Sequence, residues 1–284
     1  MSSQEPLLAA NLSVDYRNKT GVLRNVSLLI ERQEILGLVG QSGSGKSTLA
    51  LALMGLLSLK GGGVKGKILF RGKDLLKSSE KELRAIRGKE MGIVLQSPMA
   101  ALNPALSIGV HLTEAWRAHE RGNDALGSAS IQAALTSASL PHDKDFLRRR
   151  ASQLSVGQGQ RVCIAMAILH RPALLLADEA TSALDPITQS EILNLFARLN
   201  REMGTAILYI SHDLLSVGAL CHRICILHEG QIAECGTPDA IFNSPQHEYT
   251  RKLVAALPSA PTRKNSGTRT RQDAEKTLLE VTPY

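Results

Sequence analysis

Gly40-Gln-Ser-Gly-Ser-Gly45-Lys46-Ser47 constrains this chain more than any other stretch. It fits GxxxxGK[ST] and lies between an apolar run, Ile35–Val39, and a Leu- and Ala-rich segment at 48–57, so strand, glycine loop and helix follow in the order such a loop needs. At ordinary residue frequencies, a random match somewhere in 284 positions has odds of roughly 1%, before that context is counted. Glycines let successive backbone N–H groups converge on phosphate oxygens, and the helix that follows adds positive potential at its N-terminus. Gly40, Ser42, Gly43, Gly45, Lys46, Ser47 and Thr48 are therefore candidate contacts to a nucleoside triphosphate. Lys46 is expected between the β- and γ-phosphates, and Ser47 on Mg²⁺.

Leu174-Leu-Leu-Ala-Asp178-Glu179 supplies the second half of such a site, because an apolar strand can deliver an acid at its C-terminal edge, where open α/β sheets bind ligands. Asp178 is expected in the Mg²⁺ shell. Glu179, one residue later on the opposite side of an extended chain, is expected to accept a proton from the attacking water. Strand-like runs at 67–70, 91–95, 173–177 and 205–210 alternate with helical stretches at 158–170 and 189–202. Alternation of this kind implies an α/β fold with a parallel sheet covered on both faces. Between Gln96 and Leu154 the pattern turns helical, with patches at 110–118 and 131–139 broken by Pro104, Gly122 and Pro141. That stretch reads as an inserted helical subdomain over about 97–165.

Just upstream of the acidic strand, Leu154-Ser155-Val156-Gly157-Gln158 resembles the signature of ATP-binding cassette (ABC) ATPases, which reads LSGGQ in that family. Gln96 at a strand end, Ser182-Ala-Leu-Asp185 after the acidic pair, and His212 after the strand at 206–210 resemble the same family, over about residues 7–257. The resemblance implies a RecA-like P-loop NTPase core with an inserted helical subdomain and a small antiparallel β region near the N-terminus. It also implies ATP and Mg²⁺ as cofactors. Gln96 would sense the γ-phosphate and join Ser47 and Asp178 around the metal, His212 would contact the γ-phosphate, Asp185 would communicate across a dimer, and Tyr16 would stack on adenine. Ser155, Gly157 and Gln158 would complete the nucleotide site of a second cassette packed head to tail. Apart from the family, Ser155 is a good N-cap, and the helix it starts would aim its positive end at an anion.

Two further matches are narrower. Gln96-Ser-Pro-Met-Ala-Ala-Leu-Asn-Pro104 resembles the QxPxxxLNP stretch of importers for peptides and nickel, and Ile241-Phe-Asn-Ser-Pro245-Gln-His247-Glu-Tyr-Thr-Arg251 resembles their IFxxPxHPYT segment. Both are expected to lie away from the catalytic core. The departures are Val156 where the signature has Gly, Ala180 where Pro follows the acidic pair, and Glu248 where Pro is usual. A β-branched Val156 requires an ordinary negative φ if the loop is to keep its shape. What the resemblance implies is the ATPase subunit of a bacterial importer for peptides, nickel or metal–chelator complexes, peripheral on the cytoplasmic face of the inner membrane. Its partners would be two transmembrane permease subunits, a second ABC ATPase subunit, identical or paralogous, and an extracytoplasmic substrate-binding protein reached through the permease.

Net charge of +7 leaves open a soluble cassette protein acting on ribosomes or nucleic acid. Such proteins generally carry two cassettes in one chain or a long coiled coil, whereas this sequence has one P-loop and no sustained heptads, so no nucleic acid partner is expected. With aromatics at 3%, a stacking platform for single-stranded nucleic acid is disfavoured. The first 15 residues include Glu5 and do not read as a signal peptide, and the longest nearly apolar stretch, 49–59, falls short of the ~20 residues that span a bilayer. Cys163, Cys221, Cys225 and Cys235 lack paired CxxC spacing and read as reduced thiols, while Cys221, His222 and Cys225 fall short of a closed metal site. Residues 1–257 are expected to form the ATPase domain, and the polar stretch 258–284 a mobile tail.

Overall fold

A computed structural model describes residues 5–120 and 124–257; the expected tail at 258–284 lies outside the described residues. The chain begins with β1 (Leu8–Tyr16), β2 (Lys19–Ile30), β3 (Ile35–Val39), α1 (Lys46–Leu53), β4 (Gly62–Phe70), β5 (Lys73–Asp74), α2 (Glu80–Ile86) and β6 (Met91–Val94). Helices alone follow among the described residues: α3 (Pro98–Ala101), α4 (Ile108–Arg117), α5 (Asp124–Ser137), α6 (Lys144–Arg148) and α7 (Val156–Ile168). Alternation then resumes through β7 (Leu174–Asp178), α8 (Pro186–Met203), β8 (Ala206–Ser211) and α9 (Leu214–Leu220). A hairpin, β9 (Arg223–His228) and β10 (Gln231–Gly236), leads to α10 (Pro238–Asn243) and α11 (Glu248–Ala255). These elements fall within one compact unit, Met1–Val254, except for the last residue of α11; a second unit, Ala255–Tyr284, lies almost wholly outside the described residues.

One sheet is antiparallel, in the order β2-β1-β4-β5. β1 buries Leu8, Ala10, Leu12 and Val14 and turns the residues between them toward the surface, the period-two pattern of a sheet covered on one face. The second sheet runs β10-β9-β3-β8-β7-β6, parallel from β9 to β6 with β10 antiparallel at the edge. β3, β7 and β8 are buried at every residue, as interior parallel strands must be.

Alternation along these strands separates two packing layers. Leu36, Leu38, Leu174, Leu176 and Leu208 share one apolar cluster with α1 and the inner face of the antiparallel sheet. The residues between them meet α8 and α9: the Tyr209 ring lies 6.0 Å from that of Phe196, and a Cβ on Gly37 would overlap Val217. α8 buries Ile192, Leu195, Phe196 and Leu199, one helical stripe in which each side chain contributes about 1.5–3 kcal/mol by leaving water. Asp185 caps its start, Pro186 occupies the first turn and Gly204, at φ 67°, ends it.

This topology sets the C-terminal ends of β3, β8 and β7 side by side, with Val39 opposite Ser211 and Ile210 opposite Asp178. Some boundaries differ from expectation. The helix expected at 48–57 is α1, ending at Leu53 before a separate 3₁₀ turn at Leu57–Lys60. Gly55, at φ 63°, lies between the two. The strand expected at 67–70 begins at Gly62, because β1 offers it a partner along its whole length, from Leu8 opposite Phe70 to Tyr16 opposite Gly62. The expectation of four reduced thiols is also corrected. Cys225 and Cys235 are register partners across β9 and β10 and are joined in a disulfide, while Cys163 and Cys221 are free and buried.

Candidate functional site

The loop between β3 and α1 is built for an anion. Gly43 and Gly45 take φ of 81° and 106°, a hand that side chains resist, and a Cβ on Gly40 would overlap the Leu227 carbonyl. α1 starts with no side-chain cap, so its first amides are left for a ligand. Lys46 is only 4% exposed, and its ammonium donates to the carbonyls of Gly40 (2.7 Å) and Gln41 (3.0 Å).

Asp178 ends β7 at 8% exposure. Burial pushes its carboxyl above the usual carboxylate range, with a hydrogen bond from Ser47 acting against that shift. Its Oδ1 is buried without a hydrogen-bond partner. An unpartnered carboxylate oxygen beside a serine hydroxyl matches the oxygen-only donor set of a hard divalent cation, so these residues fit Mg²⁺.

Glu179 departs from the extended conformation expected for it. Its φ is 48°, and its N–H donates to Ile210 O on β8 at 2.9 Å, which turns the chain sharply at the strand end. A non-glycine residue held in this region costs on the order of 1–3 kcal/mol. The turn brings the carboxylate within 3.6 Å of both Lys46 Nζ and His212 Nδ1, and Gln96 Nε2 donates to it at 3.2 Å. At 17% exposure it sits between the phosphate loop and two residues that follow neighbouring strands. Gln96 also reaches Ser182 Oγ at 3.4 Å.

Lys46, Gln96, Glu179 and His212 thus converge, with Ser47 and Asp178 adjoining. Other expected residues stand apart. Tyr16, at the end of β1, is partly buried against the core with its ring edge over Gly62, and no hydrogen bond or ring contact among the described residues joins it to the phosphate loop. Ser155 N-caps α7 in a reciprocal box: its Oγ accepts from Gln158 N–H, and Gln158 Oε1 accepts from Ser155 N–H, both at 3.2 Å. The Ser155 hydroxyl proton is left for an acceptor outside the helix. Val156 has an ordinary helical φ, as expected, and is 44% exposed. Asp185 accepts from the N–H groups of Ile187 and Thr188 and from the Thr188 hydroxyl, whose bond is the main cause of its lowered pKa. A Cβ on Gly157 would lie 2.7 Å from the Thr188 methyl, so the signature and the start of α8 are packed together.

The C-terminal segment expected away from the catalytic core is not wholly remote. Tyr249 of α11 stacks on His228, centroids 3.7 Å apart at 13°, and its buried hydroxyl faces the Gln41 amide without forming a full hydrogen bond. Only the IFxxPxHPYT match singled out this stretch in the sequence, and nothing in that pattern says what the tyrosine touches.

The family profile described as ABC transporter matches residues 23–182. Among curated proteins, the Glutathione import ATP-binding protein GsiA of Shigella flexneri serotype 5b (strain 8401) is 39% identical over 261 residues, covering 89% of this chain and 42% of that protein. The protein of the same name from Salmonella choleraesuis (strain SC-B67) is 37% identical over 267 residues, covering 91% and 43%. The chain therefore spans less than half the length of the curated relatives it matches. Among solved structures, cbiO1 from Clostridium perfringens, described as part of the ABC transporter complex cbiONQ, has a TM-score of 0.74 at 28% identity, covering 90% of this chain and 97% of that one. The ATP-binding cassette MJ0796, in a dimeric post-hydrolysis state bound to ADP and Pi, has a TM-score of 0.70 at 27% identity, covering 81% and 98%.

Proposed function

Because the chain belongs to the ABC transporter family, we propose that it is the ATP-hydrolysing subunit of a bacterial importer, working as one of two cassettes that close head to tail around ATP. The observation that carries this reading is the convergence of Lys46, Gln96 and His212 on the Glu179 carboxylate at the mouth of the phosphate loop. The loop amides and Lys46 bind the β- and γ-phosphates, which draw the ammonium off the carbonyls of Gly40 and Gln41. Freed from Lys46, Glu179 takes a proton from a water placed in line with the γ-phosphate, while Gln96 and His212 orient that water and the phosphate oxygens. Ser47, Asp178 and Gln96 would hold Mg²⁺, which when bound offsets charge on the phosphate oxygens. Tyr16 stacks on adenine, and Asp185 passes the state of the site across the dimer. Ser155, Gly157 and Gln158 serve the second cassette's nucleotide.

In this reading transport is coupled through two separate membrane subunits; no helix among the described residues is long and apolar enough to cross a membrane. An apolar groove of about 290 Å³, lined by Met54, Leu95, Leu102, Ala115, Cys163 and Met166 among others, lies between the core and the helical insertion and suits an apolar helix end from a permease. The chain then sits on the cytoplasmic membrane face in this reading, with an extracytoplasmic binding protein delivering cargo to the permease. The relatives named for glutathione import favour a short peptide over nickel as that cargo.

Glu179→Gln tests the reading. Assembled with its permease, the variant should bind ATP as the wild type does, accumulate as an ATP-bound dimer and hydrolyse about 10² to 10⁴ times more slowly. Turnover at the wild-type rate would remove Glu179 as the base.

A further inference from the structure

His111, on the first turn of α4, faces no nucleotide, yet it is 6% exposed and both of its ring nitrogens are engaged. Nε2 accepts the backbone N–H of Asn103 at 2.9 Å. A nitrogen that accepts carries no proton, so the ring proton is on Nδ1, which donates to Ser107 O at 2.9 Å. One imidazole therefore joins two stretches of backbone, each leading toward a phosphate-facing group.

The first stretch begins at Gln96. Pro98 lies on α7, 3.5 Å from where a Cβ of Gly159 would stand, Leu102 is buried, and the Asn103 side chain closes a turn by accepting Ala105 N–H at 3.0 Å. The second stretch begins at Ser107, which forms an isolated β-bridge with Arg150, while Ile108 N–H donates to Arg149 O at 2.8 Å. From Arg150 a single 3₁₀ turn, Ala151–Gln153, leads to Ser155.

We infer that His111 is a positioning residue for hydrolysis: it fastens the segment bearing Gln96 to the backbone that enters the signature, so the two are set as one piece. The inference rests on the ATPase reading above and deepens it. Without the imidazole, Asn103 N–H loses its acceptor in a partly buried hydrogen bond, the segment relaxes, and Gln96 loses its alignment on Glu179. Nothing in the phosphate loop changes.

His111→Leu and His111→Gln separate this role from packing alone, since the glutamine carboxamide oxygen can take over as acceptor for Asn103. In the full-length chain, His111→Leu should lower kcat about tenfold, as expected for a small misplacement of a catalytic group, with KM for ATP unchanged. His111→Gln should restore most of it. In a Gln96→Ala background the same leucine substitution should leave kcat nearly unaltered, because the residue it acts through is gone. Equal losses in both backgrounds, a change in KM alone, or no rescue by glutamine would each overturn the inference. Backbone hydrogen exchange over 96–107 gives a second reading that needs no activity: faster in His111→Leu, and as in the wild type in His111→Gln. Unchanged exchange in both variants also overturns it. A wild-type chain that bound no ATP and hydrolysed none would instead defeat the ATPase reading and leave the exchange result to judge His111.

Discussion

Lys46 bonds to two carbonyls of its own loop and lies 3.6 Å from Glu179, so on the proposed reading an incoming triphosphate would exchange one set of partners for another instead of meeting a free cation. Lys46→Ala should therefore abolish most nucleotide binding, measured by titrating a fluorescent ATP analogue; unchanged affinity would count against the assignment of the loop. Val156 poses a different question at the first position of α7, where its exposed isopropyl group points away from the core. In the proposed dimer that group would lie beside the second cassette's nucleotide, next to Gly157. Val156→Gly should leave the affinity of this chain's own phosphate loop unchanged and raise turnover in the assembled transporter, and turnover equal to or below wild type would show that valine fits without cost. The phosphate loop, Asp178 and Glu179 could be read from the sequence because phosphate chemistry forces their neighbours into short fixed patterns. The hand of the chain at Glu179 could not, since it depends on a hydrogen bond to Ile210, a residue of another strand.

At the scale of elements, the interior strands were legible as unbroken apolar runs, and α8 as an amphipathic stripe with Asp185, Pro186 and Gly204 at its ends. β5 was not, because two residues carry no period, and the extra length of β4 came from its partner β1 and not from its own composition. Helix α9 lies close on β3 because Gly37 leaves room for Val217, with Cys221 Sγ 3.0 Å from the place of a missing Cβ. Gly37→Ala should force α9 outward and cost about 1–3 kcal/mol, read as a lower Tm in a thermal melt with Mg²⁺-ATP absent. An unchanged Tm would mean that α9 shifts freely. His111 was unremarked in the sequence for a related reason: a histidine on an apolar helix face has no pattern that reveals which amide it accepts.

For the whole molecule, every group in the candidate site belongs to the compact unit that ends at Val254. Deleting 262–284, a stretch poor in apolar residues, should leave ATP hydrolysis by the assembled complex unaltered, and loss of activity would assign the tail a part in turnover. The order of the parallel sheet carries a consequence of another kind. β3, which holds the phosphate loop, is flanked by β8 and β9, both from the last third of the described chain. During synthesis the strands that will flank β3 are translated long after the glycine loop. A nascent chain halted before Ala206 carries the loop sequence without the strands that flank β3, so the loop gains its shape only after β8 and β9 are made. Such non-local pairing also slows folding, because the long loop between partners must close before their contacts can repay it.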